Sequence, residues 1–142
     1  MPVTGRKPKP PGQAVTRHKP THDWLEVPDV PFAGAPKLPR TQPDGRPWPA
    51  WTKRWWDTVS TMPHCSAWAE SDWEFAFDTA ALKAKLHSDP TASLATEIRN
   101  REKVLGTTAD YRRDLRIRYV DPNAKRNEKP ADVVALDDYR GL

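Results

Sequence analysis

Ser71 to Gly106 reads SDWEFAFDTAALKAKLHSDPTASLATEIRNREKVLG. Ser71 and Glu74 stand at capping-box spacing, which predicts a helix from Asp72 to His87. Within it Trp73, Phe77, Ala80 and Ala84 share one face while Phe75, Leu82 and Leu86 form a second, so this helix wants two packing partners. Asp89 followed by Pro90 predicts the N-cap and first residue of another long helix, which ends at Leu105 where Gly106 can take a left-handed cap. Its apolar positions are Leu94, Ala95, Ile98, Val104 and Leu105, and Glu97 pairs with Arg101 on the solvated side. The short link Ser88-Asp89-Pro90 folds the two helices into an antiparallel hairpin.

Upstream of the hairpin, the character of the chain changes at Pro47-Trp48-Pro49-Ala50-Trp51-Thr52. Thr52 is expected to cap a helix that runs to about Thr61, with Trp51, Trp55, Trp56 and Val59 as its apolar stripe, and Pro63 ends it. Twelve of the sixteen prolines lie before Trp51. A segment so rich in a residue without an N–H cannot make regular helix or central strand, and reads as an extended arm. Trp24, Leu25, Val27, Val30 and Phe32 are its one apolar cluster, expected to dock on the body or on a neighbouring subunit. Downstream, Thr107 and Asp110 have capping-box spacing, and Tyr111, Leu115, Ile117 and Tyr119 continue as helix or extended chain to Asp121-Pro122. The expected division is an arm over residues 1–49, a helical oligomerisation body over 50–120, and a polar tail over 121–142 with Val133, Val134 and Leu136 as a short docking element. The fold class is therefore all-α: a helical hairpin core, short flanking helices and a long Pro-rich, largely irregular arm.

A body of this size buries a modest share of its surface and needs a further stabiliser. Cys65 is the only cysteine, so no internal disulfide can form, and His18, His22, His64 and His87 lack zinc-site spacing. Self-association is left as the stabiliser, with Trp73, Phe75, Phe77, Leu82, Leu86, Leu94 and Ile98 as the candidate interface. There is no apolar run of signal-peptide or membrane-spanning length, so no membrane partner is expected and the protein should stay in the cytoplasm of the cell that makes it.

The net charge of +4 is unevenly placed, because Arg6, Lys7, Lys9, Arg17 and Lys19 fall in the first 22 residues with no acid among them. Flexible cationic chain follows phosphates and releases counterions, which makes the arm the first nucleic-acid candidate; the plain alternative is a solubilising tail. Arg112, Arg113, Arg116 and Arg118 form a second cluster, interleaved with Asp110 and Asp114. It reads either as a phosphate patch or as an intersubunit salt-bridge seam. Trp51, Trp55 and Trp56 fall on the stripe of Val59, so the tryptophans read as a small core, while Trp48, flanked by prolines, is the best candidate to face a partner.

Catalysis has little to stand on. There is no Gly-rich phosphate loop ending in Lys-Ser or Lys-Thr, so an ATPase is not expected. Glu70, Glu74 and Asp78 line one helical face and read as a solvated stripe rather than a metal site, and His64-Cys65 would need a third group to act as a nucleophile pair. The expectation is a protein that is not an enzyme and carries no cofactor or metal.

Four features in order resemble a known family: Gly5-Arg6-Lys7-Pro8, a helix after the Trp48-Pro49-Ala50-Trp51 entry, the helical hairpin, and the run Val104-Leu105-Gly106-Thr107-Thr108-Ala109-Asp110-Tyr111-Arg112-Arg113-Asp114-Leu115-Arg116. Together they resemble the small terminase subunit of tailed bacteriophages, particularly those of actinobacterial hosts. That resemblance implies a non-enzymatic ring-forming oligomer that binds viral double-stranded DNA in the host cytoplasm and delivers it to the large terminase subunit, which carries the ATPase and nuclease. Arg6, Lys7, Lys9, Arg17, Lys19, Arg112, Arg113 and Arg116 are the residues expected on DNA. Many members of the family carry an N-terminal helix-turn-helix, which residues 1–49 cannot form. A head connector or adaptor ring that binds portal protein is the alternative reading.

Overall fold

The computed structural model describes residues 23–124, so the arm cations Arg6, Lys7, Lys9, Arg17 and Lys19 and the tail residues Val133, Val134 and Leu136 lie outside the described residues. Four helices carry the body: α1 (Ala50–Ser60), α2 (Glu70–Ser88), α3 (Ala92–Leu105) and α4 (Ala109–Asp114), with a 3-10 helix at Pro63–Ala67 between the first two. None is long and apolar enough to cross a membrane.

The expected hairpin is present as α2 and α3 and Gly106 closes α3 in the expected left-handed cap, but every N-cap sits a residue or more from its expected place. Thr52 does not cap α1, because the Pro49 carbonyl already accepts the N–H groups of Thr52 and Lys53 at 3.0 and 3.1 Å. Thr52 is thereby turned inside, where its hydroxyl meets His87 Nδ1 at 2.8 Å. In α2 the Asp72 carboxylate reaches back to accept the Ala69 N–H at 2.8 Å, starting the helix ahead of Ser71. Thr91, not Asp89, caps α3 by accepting the Leu94 N–H at 3.2 Å, while the Asp89 N–H closes α2 on the Lys85 carbonyl. Thr108 caps α4 through the Tyr111 N–H at 3.2 Å, one residue beyond Thr107.

Ala76, Ala80 and Ala84 make a stripe of buried small residues on α2, which lets the helix pack closely with Trp48, Trp56 and Leu105. Aromatic rings fill the remaining space: Trp56 stacks on Phe77 with centroids 4.8 Å apart, Trp68 meets Trp73 edge-on at 4.8 Å, and Phe32 stacks on Trp73 at 6.0 Å. The inward face of α1 is Thr52, Trp56, Val59 and Ser60. Trp51 therefore leaves the expected stripe: it is 66 % exposed, and the Arg54 guanidinium lies 5.5 Å from its ring centre.

Residues 29–49 run along the body as irregular chain, and proline carbonyls tie it down. The Trp48 indole donates to the Pro39 carbonyl at 2.8 Å and the Trp56 indole to the Pro36 carbonyl at 3.3 Å. Proline gives up its N–H but keeps an acceptor, so a Pro-rich strap can still satisfy buried indole donors. Trp48 is consequently buried against its own chain rather than presented to a partner.

The all-α expectation needs one correction. Strands β1 (Leu25–Pro28) and β2 (Ile117–Val120) pair in parallel, Leu25 opposite Ile117 and Pro28 opposite Val120, with the whole helical body as their crossover. A two-stranded sheet is marginal alone. Here both strands pack on the 3-10 helix, and Val27 is buried there while Leu25 and Val30 stay exposed.

Candidate nucleic-acid interface

One set of described cations with a common setting lies on α4 and β2. After α4, Arg116 takes a left-handed backbone with φ of 59°, which breaks the helix and turns the chain into β2. Its carbonyl accepts the Leu25 N–H at 2.9 Å, so the residue that ends the helix also begins the sheet. Arg112 and Arg113 project from α4 on one side of this corner and Arg118 from β2 on the other.

Each of these arginines is held by a different device. Arg112 donates to the Gly106 carbonyl at 3.1 Å, and its guanidinium lies 4.9 Å from the centre of the Tyr119 ring. Arg113 pairs with Asp110 at 3.0 Å, one turn back on α4. Arg118 pairs across the sheet with Glu26, and its guanidinium lies 5.7 Å from the Trp24 ring centre. Trp24, Arg112, Arg113, Ile117, Arg118 and Tyr119 line a cleft of about 220 Å³ at this corner. Among its described lining residues there is no carboxylate.

Beneath the corner lies His64, 2 % exposed and placed by the 3-10 helix. A carbonyl can only accept, so Nε2 carries the proton and donates to Leu105 at 2.7 Å, leaving Nδ1 to accept from the Tyr119 hydroxyl at 2.6 Å. Burial pushes the imidazole below its ordinary value of 6.5, with the Leu105 carbonyl pulling the other way and the Arg112 charge adding to the depression. Burial likewise raises the Tyr119 phenol, against the pull of Arg112. Gly106 permits this packing: its φ is 71°, and a Cβ there would stand 3.1 Å from His64 Nε2.

His64 and Cys65 do not form a nucleophile pair. Both imidazole nitrogens are committed elsewhere, the Cys65 thiol donates to the Val59 carbonyl at 3.2 Å, and burial pushes that thiol up to about 12. Glu70, Glu74 and Asp78 are all exposed, and no group of three potential metal ligands occurs among the described residues.

The candidate interface residues separate into two sets. Trp73 and Phe77 are engaged with Phe32, Trp56 and Trp68 of their own chain, Ile98 is buried, and Phe75 lies under Arg101 with the guanidinium 5.0 Å from its ring. Leu82, Leu86 and Leu94 are only half-buried, and Val104 on α3 is exposed. Sequence reasoning did not single out His64, Tyr119 or Trp24 for this corner. The alternation Ile117-Arg118-Tyr119-Val120 was the available signal for β2, whereas nothing local to Pro63-His64-Cys65 marks the imidazole as a keystone.

Residues 3–142 match the family model described as phage terminase small subunit. No curated protein and no solved structure matches the chain.

Proposed function

We propose, for a chain that belongs to the phage terminase small subunit family, that it acts in the host cytoplasm as a DNA-binding oligomer and passes viral DNA to the large terminase subunit. Family membership supports a role in phage genome packaging, and the match over residues 3–142 is the observation that carries the reading, because it takes in the basic arm as well as the helical body. In this reading the protein regulates or recruits the large subunit's ATPase and nuclease and contributes no catalytic group of its own. No observation favours the head-connector alternative.

The division of labour follows from charge and packing. Arg6, Lys7, Lys9, Arg17 and Lys19 supply backbone contacts to double-stranded DNA, and Arg112, Arg113 and Arg116 add to them from the body. Assembly falls to the apolar side chains that their own chain leaves half-covered, Leu82, Leu86 and Leu94, together with exposed Val104. One arm on a monomer holds DNA weakly. Arms gathered on a ring act at high effective concentration once the first has bound.

The test compares the full chain with a variant lacking residues 1–20 in a duplex-retention assay over a salt series, with the mass of each followed by light scattering. If all five arm cations meet phosphates, the full chain should lose affinity with a log–log slope of about −4 to −5. The deletion should keep its subunit number, read from the mass of the shorter chain, and lose DNA retention. Equal retention and equal slope in the two proteins would overturn the arm's role.

A further inference from the structure

We propose that the cleft between Trp24 and the corner of α4 and β2 is a binding site for one phosphate group, held by Arg112, Arg113 and Arg118. This rests on the nucleic-acid reading above and names the chemistry of one fixed contact within it. Arg112, Arg113 and Arg118 all line a cleft of about 220 Å³ whose described lining offers no carboxylate. Each guanidinium has five N–H donors in a planar fork that matches phosphate oxygens in pairs. Asp110, Glu26 and the Gly106 carbonyl each engage one arginine through a single terminal guanidinium nitrogen, a part of the donor set that each fork carries.

The arginines are also fixed before any ligand arrives. Arg112 rests against Tyr119 and Arg118 against Trp24, while Arg113 is tied to Asp110 within its own helix. Ordering long side chains is a main cost of binding, so guanidinium groups already positioned by rings and carboxylates bind an anion more tightly than mobile ones. The Arg118 Nε–H is buried and finds no hydrogen-bond acceptor among the described residues, so a small rearrangement that brings it to a ligand oxygen would satisfy a donor that is otherwise unpaired.

The size of the cleft decides which part of a ligand it takes. It is smaller than the roughly 300–1,000 Å³ of sites that enclose a whole small molecule. Tyr119 already packs against both His64 and Arg112, so it has little surface to offer a base. The fit is to a phosphate whose nucleoside remains outside. The larger cleft of about 350 Å³ between residues 35–40 and α1 is a poorer anion site, since the Asp57 carboxylate lines it beside Lys37, Arg40 and Lys53.

Inorganic phosphate and the phosphodiester of a DNA strand share this chemistry, and so does the phosphate chain of a free nucleotide. The experiment follows the arginine Nε–H resonances of the labelled full-length protein by NMR. Inorganic phosphate, a short DNA duplex, ATP and hexaglutamate are titrated separately, with chloride at matched ionic strength as the control. Phosphate should shift Arg112, Arg113 and Arg118 saturably, and Arg113→Ala should weaken that binding at least tenfold. Arg113→Lys, which keeps the charge and loses the fork, should recover only part of it, and Arg99→Ala on α3 should match the wild type. Shifts with duplex would assign the strand as the source; shifts with ATP but not duplex would assign free nucleotide and still support the site. Equal shifts with chloride, or shifts with hexaglutamate alone, would overturn the proposal, the latter in favour of an acidic protein partner. Thermal melting of Arg113→Ala guards against a folding defect. Should that variant melt early, an unchanged phosphate response in Arg113→Lys would overturn the proposal by itself. Duplex retention that persists while these resonances stay silent would remove this site and leave the function proposed above intact.

Discussion

At Trp56 one ring meets another: Phe77 lies 4.8 Å away and nearly parallel, Trp73 closes the group at 6.0 Å, and the single polar atom of the indole goes to a proline carbonyl. At His64 a ring meets polar partners: a phenol, a carbonyl and, one layer out, a guanidinium over Tyr119. The first region is held by apolar area, which is tolerant in direction and large in sum. The second is held by a few directed contacts among half-buried strands, so its integrity depends on geometry and on protonation. The arginine cleft sits on the second region, where a thin polar layer carries cations that stay partly hydrated.

The comparison is broken most directly at the tryptophan end. Trp56→Ala removes the ring that touches Phe77, Trp73 and the strap at Pro36, and should cost about 3–5 kcal/mol in urea unfolding. A protein of this size has few kcal/mol in reserve, so the variant should be largely unfolded near body temperature. A loss below about 1 kcal/mol would mean that the strap and α2 close over the gap and that area is not what holds this half together.

The next effect falls on the other region. Gly106→Ala places a Cβ 3.1 Å from His64 Nε2 and forces a residue with a side chain to a φ of 71°. The expected cost is about 1–3 kcal/mol, from left-handed strain and displacement of His64 from the Leu105 carbonyl. The readout that separates the regions is local: the ring signals of Trp56 and Phe77 should hold while those of His64, Tyr119 and Trp68, which packs edge-on against His64, move. Equal disturbance of both would show that the two halves unfold as one unit at this position.

How much of this was legible in the sequence follows the same division. The hairpin could be read because Trp73, Phe77, Ala80 and Ala84 repeat at helical spacing, and Gly106 was visible as a left-handed cap because no side chain competes for that conformation. The N-caps of α3 and α4 were displaced because Thr, Ser and Asp crowd those boundaries, and the choice between Thr107 and Thr108 rests on backbone geometry that spacing does not encode. The strap was illegible for a different reason. Pro36 and Pro39 contribute carbonyls, not apolar periodicity, so Trp48 looked free when its partner was nine residues upstream. The sheet was hidden by distance, since Glu26 and Arg118 meet across 92 positions and parallel pairing leaves no hairpin signal. In the cleft the arginines could be recognised as a cluster, but Trp24, Tyr119 and His64 come from three separate segments that only the fold brings together.

The smallest effect is the one that tests whether the polar layer is a separate unit, and it is read by acidification. Burial holds the His64 imidazole below its ordinary value of 6.5, so the unfolded chain takes up its proton at higher pH than the folded one does. The contribution of neutral His64 is fully present above 6.5 and is lost as the pH falls from there through the lowered folded value. His87 acts in the same direction, because burial and the Lys83 charge depress it too, so a melting curve alone sums the two. The two histidines sit on different sides of the comparison: His87 bonds Thr52 of the aromatic half, and His64 bonds Tyr119 of the cleft. Following each ring proton by NMR while stability is measured from about pH 8 downward separates them. The Tyr119 and Arg112 signals should change with His64, because protonated Nδ1 can no longer accept the phenol proton and a new positive charge faces the Arg112 guanidinium through one ring. The rings of Trp56 and Phe77 should not follow. If they titrate together with His64, the polar layer and the aromatic core form one cooperative structure, and the contrast drawn between them describes composition and not mechanics.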